Sequence, residues 1–144
     1  MLLETLKEVD ILILNDAEAR QLTGEDNLTR AGKKILTFGP TRVIIKIGEH
    51  CAISLTESTF FAAPAYPLTN VVDPTGAGDS FAGGFMGSLA TLNNFSEQSI
   101  RRSIINGTVS ASFNVEDFSL DRQRTLTPQE IGERFRQLEE IVRF

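Results

Sequence analysis

An uninterrupted apolar run near the start of the chain, Ile11-Leu12-Ile13-Leu14, limits the folds open to this sequence. A run without polar alternation suits a strand that is buried on both faces, as in a sheet covered by helices. A second run rich in β-branched residues covers 42–47 and predicts a similar strand. Helix signals lie between and after these strands, so the order of elements predicts a layered α/β fold with a mostly parallel sheet.

Capping residues and glycines mark where the predicted helices begin and end. Thr127-Pro128-Gln129-Glu130 is the clearest start, with a Thr N-cap, Pro at the first helical position and a Glu that closes a capping box. The predicted helices cover 15–24, 27–39, 76–92 and 96–113, with one more from 127 onward. A hairpin over 51–56 and 59–63 and a strand over 66–72 complete the pattern. The length of 144 residues predicts one domain over 1–144.

Charge and composition exclude several classes of function. The net charge of −5 is poorly suited to non-specific nucleic-acid binding, which needs Lys and Arg against phosphates. No apolar run is long enough for a membrane span, and Glu4 and Glu8 interrupt any signal peptide. Cys51 and His50 are the single cysteine and histidine, which argues against zinc sites and predicts a cytoplasmic protein without an internal disulfide.

The segment most informative about chemistry is Asp73-Pro74-Thr75-Gly76-Ala77-Gly78-Asp79, between a predicted strand and a predicted helix. Glycines there let the backbone approach a ligand closely, and the first N–H groups of a helix have no acceptor within it. Together with the positive end of the helix dipole, these donors form an anion site.

Asp79 admits two interpretations. Beside a bound phosphate its charge would be unfavourable, unless it acts as a base on a hydroxyl that attacks that phosphate. Alternatively, it is an ordinary Asp in the first turn of a helix, where a carboxylate is favourable. The helix that follows contains Gly83, Gly84 and Gly87, which together cost about 3 kcal/mol relative to alanine. Close packing of this helix, on the sheet or on a ligand, would explain them.

The segment 73–84 closely resembles the second signature of the PfkB (ribokinase-like) family of sugar and nucleoside kinases, whose core reads Asp-Thr-x-Gly-Ala-Gly-Asp. The resemblance implies a three-layer, ribokinase-like (Rossmann-like) fold and ATP-dependent phosphorylation of a hydroxyl, with Mg²⁺. It also implies that the Gly76-Ala77-Gly78 backbone forms an anion hole and that Asp79 is the catalytic base.

Three further segments resemble family motifs, in the family's order. Asn15-Asp16-Ala17-Glu18 is similar to a motif whose Glu organises Mg²⁺ mostly through water, although a capping box explains the same residues. Lys46–Cys51 is similar to a turn beside the nucleotide, with Cys51 where Gly is usual. Residues 106–112 are similar to a helix that flanks adenine; an ordinary polar helix position is the alternative for Asn106. The implied nucleotide contacts are Lys46, Gly48, Thr75, Gly76, Gly78, Asn106 and Ser110, and the implied indirect metal residues are Glu18 and Asn15.

Other nucleotide-binding and hydrolytic motifs do not match. The chain has no Gly-Lys-Ser/Thr for a P-loop, and Phe81 stands where a dinucleotide fingerprint needs its third glycine. Only His50 is available for a Ser–His–Asp triad, and no Gly-x-Ser-x-Gly is present.

The resemblance covers about the last half of a typical family member, so the sequence is interpreted as a kinase truncated at its N-terminal side. The acceptor-binding residues and the lid would belong to the other half. A sheet cut midway exposes a strand edge, which predicts self-association into a homo-oligomer. Two functions stay open: the catalytic half of an ATP-dependent sugar or nucleoside kinase, or a module that binds ATP or ADP without turnover.

Overall fold

The computed structural model describes residues 2–144, which form two compact units divided between Ala63 and Pro64. The first unit carries the β-sheet, and the second is built from helices. Within the described part of the chain, no helix is both long and apolar enough to cross a membrane.

The first unit alternates helices and strands as predicted. Asn15 caps the predicted helix after the first strand, and Gly24 ends it in the left-handed conformation at φ 71°. Asn27 caps the next helix. The elements are α1 (Leu2–Thr5), a 3₁₀ turn (Leu6–Glu8), β1 (Ile11–Asn15), α2 (Asp16–Thr23), α3 (Leu28–Leu36), β2 (Arg42–Ile47), β3 (Cys51–Leu55) and β4 (Phe60–Pro64).

The four strands lie in the order β1-β2-β3-β4. β1 pairs in parallel with β2, where Leu14 lies opposite Ile45. β2 pairs antiparallel with β3, where Ile45 lies opposite Ile53. The sheet is therefore mixed rather than mostly parallel. The cause is the short turn over 48–50, which reverses the chain but is too short for the crossover that a parallel neighbour requires. The hairpin predicted over 51–63 is present as β3 and β4.

The apolar runs supply the core of the first unit. Val43, Ile44 and Ile45 are consecutive and fully buried, so both faces of β2 are covered, as an uninterrupted run predicts. The run in β1 is covered less completely than predicted: Leu14 is buried, but residues 11–13 are only partly buried, because β1 lies at one end of the strand order. α2 and α3 contribute small side chains that let them pack closely. This core cluster consists of Leu14, Ala19, Ala31, Ile35, Val43, Ile45, Ile53 and Leu55.

The second unit contains α4 (Ala77–Leu92), α5 (Glu97–Asn114), α6 (Asp121–Thr125) and α7 (Pro128–Ile141). The starts of α5 at the Ser96 cap and of α7 at the Thr127 capping box are confirmed. The prediction of a strand over 66–72 is wrong, because this segment is irregular. Pro67 has no N–H for a ladder, and the N–H of Val72 donates to the carbonyl of Val115 instead. The short helix α6 was not predicted.

α4 and α5 pack closely because glycines face the neighbouring helix. A Cβ on Gly84 would lie 2.3 Å from Ser110 Oγ, and a Cβ on Gly107 would lie 2.8 Å from the Phe81 carbonyl oxygen. Only glycine fits at such distances. The close packing expected of the α4 glycines is therefore present at Gly84, where the partner is α5.

Candidate active site

The start of α4 lies where the sequence places it. Gly76 is the N-cap and takes the left-handed conformation at φ 83°, which favours glycine. Gly78 and Asp79 follow in the first helical turn. The glycine-containing segment is thus a turn leading into a helix of 16 residues, which is the local geometry of an anion site.

Two backbone donors within the first turn of α4 remain available. Ala77 N–H donates to the carbonyl of Pro74 at 3.2 Å, and Ser80 N–H donates to the N-cap carbonyl at 2.9 Å. The N–H groups of Gly78 and Asp79 have no acceptor among residues 2–144. These two amides, together with that of the N-cap Gly76, which also has no acceptor among residues 2–144, are the donors that can meet an anion, whereas the Ala77 amide is used within the turn.

The Asp79 side chain is exposed and carries a carboxylate with no hydrogen-bond or ion-pair partner in the described chain. It lies in the same helical turn as the two available amides. An unpaired carboxylate beside an anion site can accept a proton from a hydroxyl held between them.

Asn114 holds this turn in place, and it is not among the site residues predicted from the sequence. The side chain is fully buried at the end of α5. Its Nδ2 donates to the carbonyl of Thr75 at 2.8 Å, and its Oδ1 accepts from Ser80 Oγ at 2.9 Å. A signal was available, because Asn114 lies on the same helical stripe as the buried Ile104 and Gly107, where a polar residue needs partners.

Asp73 shapes the residues before the turn. Its Oδ1 accepts the Thr75 N–H at 2.9 Å, which is an Asx-type turn. Hydrogen bonds from the backbone and side chain of Thr75, and from the backbone of Ser119, hold the pKa of this carboxyl below its usual value. These hydrogen bonds favour the carboxylate form of Asp73, so the ionised side chain is the one that supports the turn.

The two predicted nucleotide contacts on α5 face α4. Asn106 Nδ2 donates to Ser88 Oγ at 2.9 Å and to the Arg102 carbonyl at 3.2 Å. The Ser110 side chain packs against Gly84. Beside Asn106 lies an open groove of about 420 Å³ between α5 and α7, with the Arg102 guanidinium 5.0 Å from the centre of the Phe135 ring. The groove is lined by Arg102, Asn106, Pro128, Gln129, Ile131, Gly132, Phe135, Arg136 and Glu139.

The first unit brings together the other predicted residues. Asn15 ends β1 and lies opposite Lys46 of β2 in the parallel register. Glu18 follows in the first turn of α2, and Gly48 follows β2 with φ 47°. These four residues therefore lie at the carboxyl ends of two parallel strands, the edge where ligands bind in open α/β sheets.

Asn15 and Glu18 form the capping box that the sequence allowed. The Glu18 N–H donates to Asn15 Oδ1 at 2.8 Å, and Glu18 Oε2 accepts the Asn15 N–H at 2.9 Å. Oε1 of Glu18 has no partner among the described residues, so one carboxylate oxygen stays available.

Curated relatives of this chain are kinases. Cytidine kinase of Thermococcus kodakarensis is 35% identical over 88 residues, covering 60% of this chain and 31% of that protein. Ribokinase of Staphylococcus aureus is 29% identical over 118 residues, covering 78% of this chain and 37% of that protein. The chain thus spans well under half the length of these relatives.

Solved structures confirm the ribokinase-like α/β fold. Aminoimidazole riboside kinase from Salmonella enterica, complexed with aminoimidazole riboside and an ATP analog, matches with a TM-score of 0.81 and 25% identity over 92% of this chain and 44% of that one. Ribokinase of Arabidopsis thaliana, complexed with ribose and ATP, shares the fold with a TM-score of 0.77 and 23% identity. The match covers 92% of this chain and 43% of that one. The family model for pfkB family carbohydrate kinases matches residues 1–124, and the chain belongs to that family.

Proposed function

We propose that a protein containing this chain transfers a phosphoryl group from ATP to a hydroxyl of a sugar or nucleoside. The observation that carries the proposal is the first turn of α4, where the free amides of Gly78 and Asp79 lie beside an unpaired carboxylate. The names of the relatives, which are sugar and nucleoside kinases, support the substrate class.

The chemistry follows from the residues in that turn. The Gly78 and Asp79 amides and the helix dipole stabilise negative charge on a phosphate at the start of α4. The Asp79 carboxylate accepts the proton of the acceptor hydroxyl as that oxygen bonds to the γ-phosphorus, while the bond from this phosphorus to the bridging oxygen of ATP breaks and ADP leaves. Thr75 and Gly76 set the backbone path that brings these donors to the phosphate, while Ala77 N–H closes the turn on Pro74.

The first unit supplies candidate metal and nucleotide contacts. No group of three His, Cys, Asp or Glu side chains converges among residues 2–144. The carboxylate oxygen of Glu18 that the capping box leaves unused is a hard oxygen donor of the kind that Mg²⁺ takes, with waters completing its coordination. The available oxygen of Glu18 would hold such a metal through water, and Lys46 and Gly48 would border the nucleotide. The metal would supply positive charge against the phosphates.

Asn106 and the groove beside it are the proposed neighbours of the adenine base. Arg102 and Phe135 both line this groove, with the guanidinium over the ring, so a base there would meet a cation and an aromatic side chain. Ser110 is a weaker candidate for an adenine contact than Asn106, because the Ser110 side chain already packs against Gly84.

A second candidate function is a nucleotide-binding module without turnover. It applies to the 144 residues taken by themselves, which span 44% of the aminoimidazole riboside kinase structure. Positioning the acceptor supplies about 7–11 kcal/mol of the barrier to transfer. A chain that does not hold the acceptor would bind ATP or ADP and transfer nothing efficiently.

A coupled ADP-release assay with ATP, Mg²⁺ and a panel of sugars and nucleosides tests the proposal and separates the two candidates. For a full-length kinase carrying this chain, we expect ADP release that depends on one class of acceptor. Nucleotide binding without any acceptor-dependent release would favour the module. Absence of both would contradict the proposal.

A further inference from the structure

The fully buried side chain of Asn114 joins the two flanks of the glycine turn. Its amide group bonds to the Thr75 carbonyl before Gly76 and to the Ser80 hydroxyl after Asp79. Because a carbonyl oxygen only accepts, the Asn114 NH₂ must face Thr75, which leaves Oδ1 for the hydroxyl of Ser80. The orientation of the amide is thus fixed by chemistry, and both of its ends are used.

The next residue adds a second connection. The Val115 carbonyl accepts the N–H of Val72 at 2.8 Å and that of Asp73 at 3.4 Å. The end of α5 therefore holds the segment 72–80 at four points. Gly76 lies inside this arrangement, since a Cβ there would be 3.5 Å from both polar atoms of the Asn114 side chain.

The end of α5 is itself held by an ionic and aromatic cluster. Phe113 is 2% exposed, and the Arg134 guanidinium lies 3.5 Å from the centre of its ring. Arg134 also pairs with Glu116 at 2.6 Å and donates to Ser112 Oγ at 3.1 Å. Asn114 thus projects from a backbone that is fixed by its neighbours, as a group that orients other groups must be.

We propose that Asn114 is a positioning residue for the phosphate site, and this rests on the proposed function. Asn114 touches no ligand in this proposal. It fixes the Thr75 carbonyl and the Ser80 hydroxyl, so that the amides of Gly78 and Asp79 between them point in one direction. Without the Asn114 side chain, the N–H groups of Gly78 and Asp79 sample several directions. Anion binding must then also order these two groups, and this cost lowers the affinity.

The test is an ADP titration of the 144-residue chain, followed through the backbone amide signals of Gly78 and Asp79. Asn114→Ala removes both bonds and is expected to weaken ADP binding about tenfold. Ser80→Ala removes one bond and is expected to weaken it about threefold. Ser103→Ala is the matched control, because it also removes a buried hydrogen bond between α5 and α4, to Ser88 at 3.1 Å, but leaves the turn untouched. Its affinity should stay within about twofold of wild type.

Wild-type affinity in Asn114→Ala, or an equal loss in Ser103→Ala, would overturn the inference. If Asn114→Ala does not fold, Ser80→Ala decides: a selective loss supports the inference, and wild-type affinity overturns it. If the wild-type chain does not bind ADP, the proposed nucleotide site fails separately. In that case, amide ¹⁵N relaxation of the ligand-free protein tests the inference. Increased backbone mobility at 75–79 in Asn114→Ala but not in Ser103→Ala supports it, and unchanged order in Asn114→Ala overturns it.

Discussion

Asn15 and Glu18 exchange hydrogen bonds at the start of α2, the Glu18 N–H donating to Asn15 Oδ1 at 2.8 Å and the Asn15 N–H donating to Glu18 Oε2 at 2.9 Å. The sequence allowed either a capping box or a metal-organising pair, and the structure contains the capping box. Because the second oxygen of Glu18 is not used by the described residues, the metal role stays a compatible prediction.

The two roles separate by mutation. Asn15→Ala should lower the free energy of unfolding by about 1 kcal/mol, since the cap on α2 is lost. Glu18→Gln keeps the geometry of the box, so its stability should change little, while the Mg²⁺ dependence of a full-length kinase should shift. Urea unfolding and an Mg²⁺ titration of the rate measure the two effects. An unchanged titration in Glu18→Gln would leave only the capping role.

The glycines of α4 should respond in opposite directions to alanine. Gly84→Ala places a methyl group 2.3 Å from Ser110 Oγ and 2.9 Å from the Asn106 carbonyl oxygen, and overpacking of this kind costs about 1–3 kcal/mol. A Cβ on Gly83 or Gly87 meets nothing within 4 Å, so alanine there should stabilise the helix by up to about 1 kcal/mol. Thermal unfolding of the three variants checks this. Equal effects at all three positions would contradict the packing account.

These glycines show where sequence reasoning reaches its limit. Three glycines inside α4 predicted close packing, but the sequence alone does not indicate which of them faces a neighbouring helix. The structure assigns that contact to Gly84, and Gly83 and Gly87 have open space around them. Elements marked by local chemistry, such as the Thr127 capping box and the Gly76 turn, were predicted correctly.

Features that depend on distant residues were missed. The segment 66–72 has the apolar content of a strand, yet Val72 pairs with Val115, more than 40 residues away. Asn114 is an ordinary polar residue in the sequence and becomes important only because Thr75 and Ser80 lie against it. No local pattern predicts such partners, whereas the buried stripe of α5 could have indicated that partners exist.

Acid should weaken the fold through Glu130. Its hydrogen bond from Arg122, at 2.5 Å, and bonds from Thr127 lower the pKa of its carboxyl from 4.5 to about 2. A lowered pKa in the folded state means that this contribution is complete above pH 4.5 and is lost as the pH falls toward 2. The Tm should therefore fall over that range.

Substitution isolates this contribution. Glu130→Gln should lower the Tm at neutral pH, and its difference from wild type should shrink as the pH falls from 4.5 to about 2. Glu139→Gln on the same helix is the control, because its carboxylate is exposed and has no ion-pair partner among the described residues. A Tm difference for Glu130→Gln that does not depend on pH would show that the ion pair is not its origin.

Asp79 gives the most direct test of the chemical step. In a full-length kinase, Asp79→Asn should fold normally and lose about 10²–10⁴ in turnover at saturating substrates, the usual size of a general-base contribution. Asp121→Asn, another exposed carboxylate in the first turn of a helix, is the matched control and should keep its rate. Turnover at the wild-type level in Asp79→Asn would refute the role as base.

In the proposed function, the start of α4 binds the phosphates of a nucleotide. Calorimetric titration of the 144-residue chain with ADP, beside the same titration of Gly78→Val, measures this without requiring turnover. We expect weak, saturable binding by the wild-type chain and its loss in Gly78→Val, because the valine side chain fills the space over the free amides. Absence of binding at millimolar ADP, or equal binding by both proteins, would contradict it.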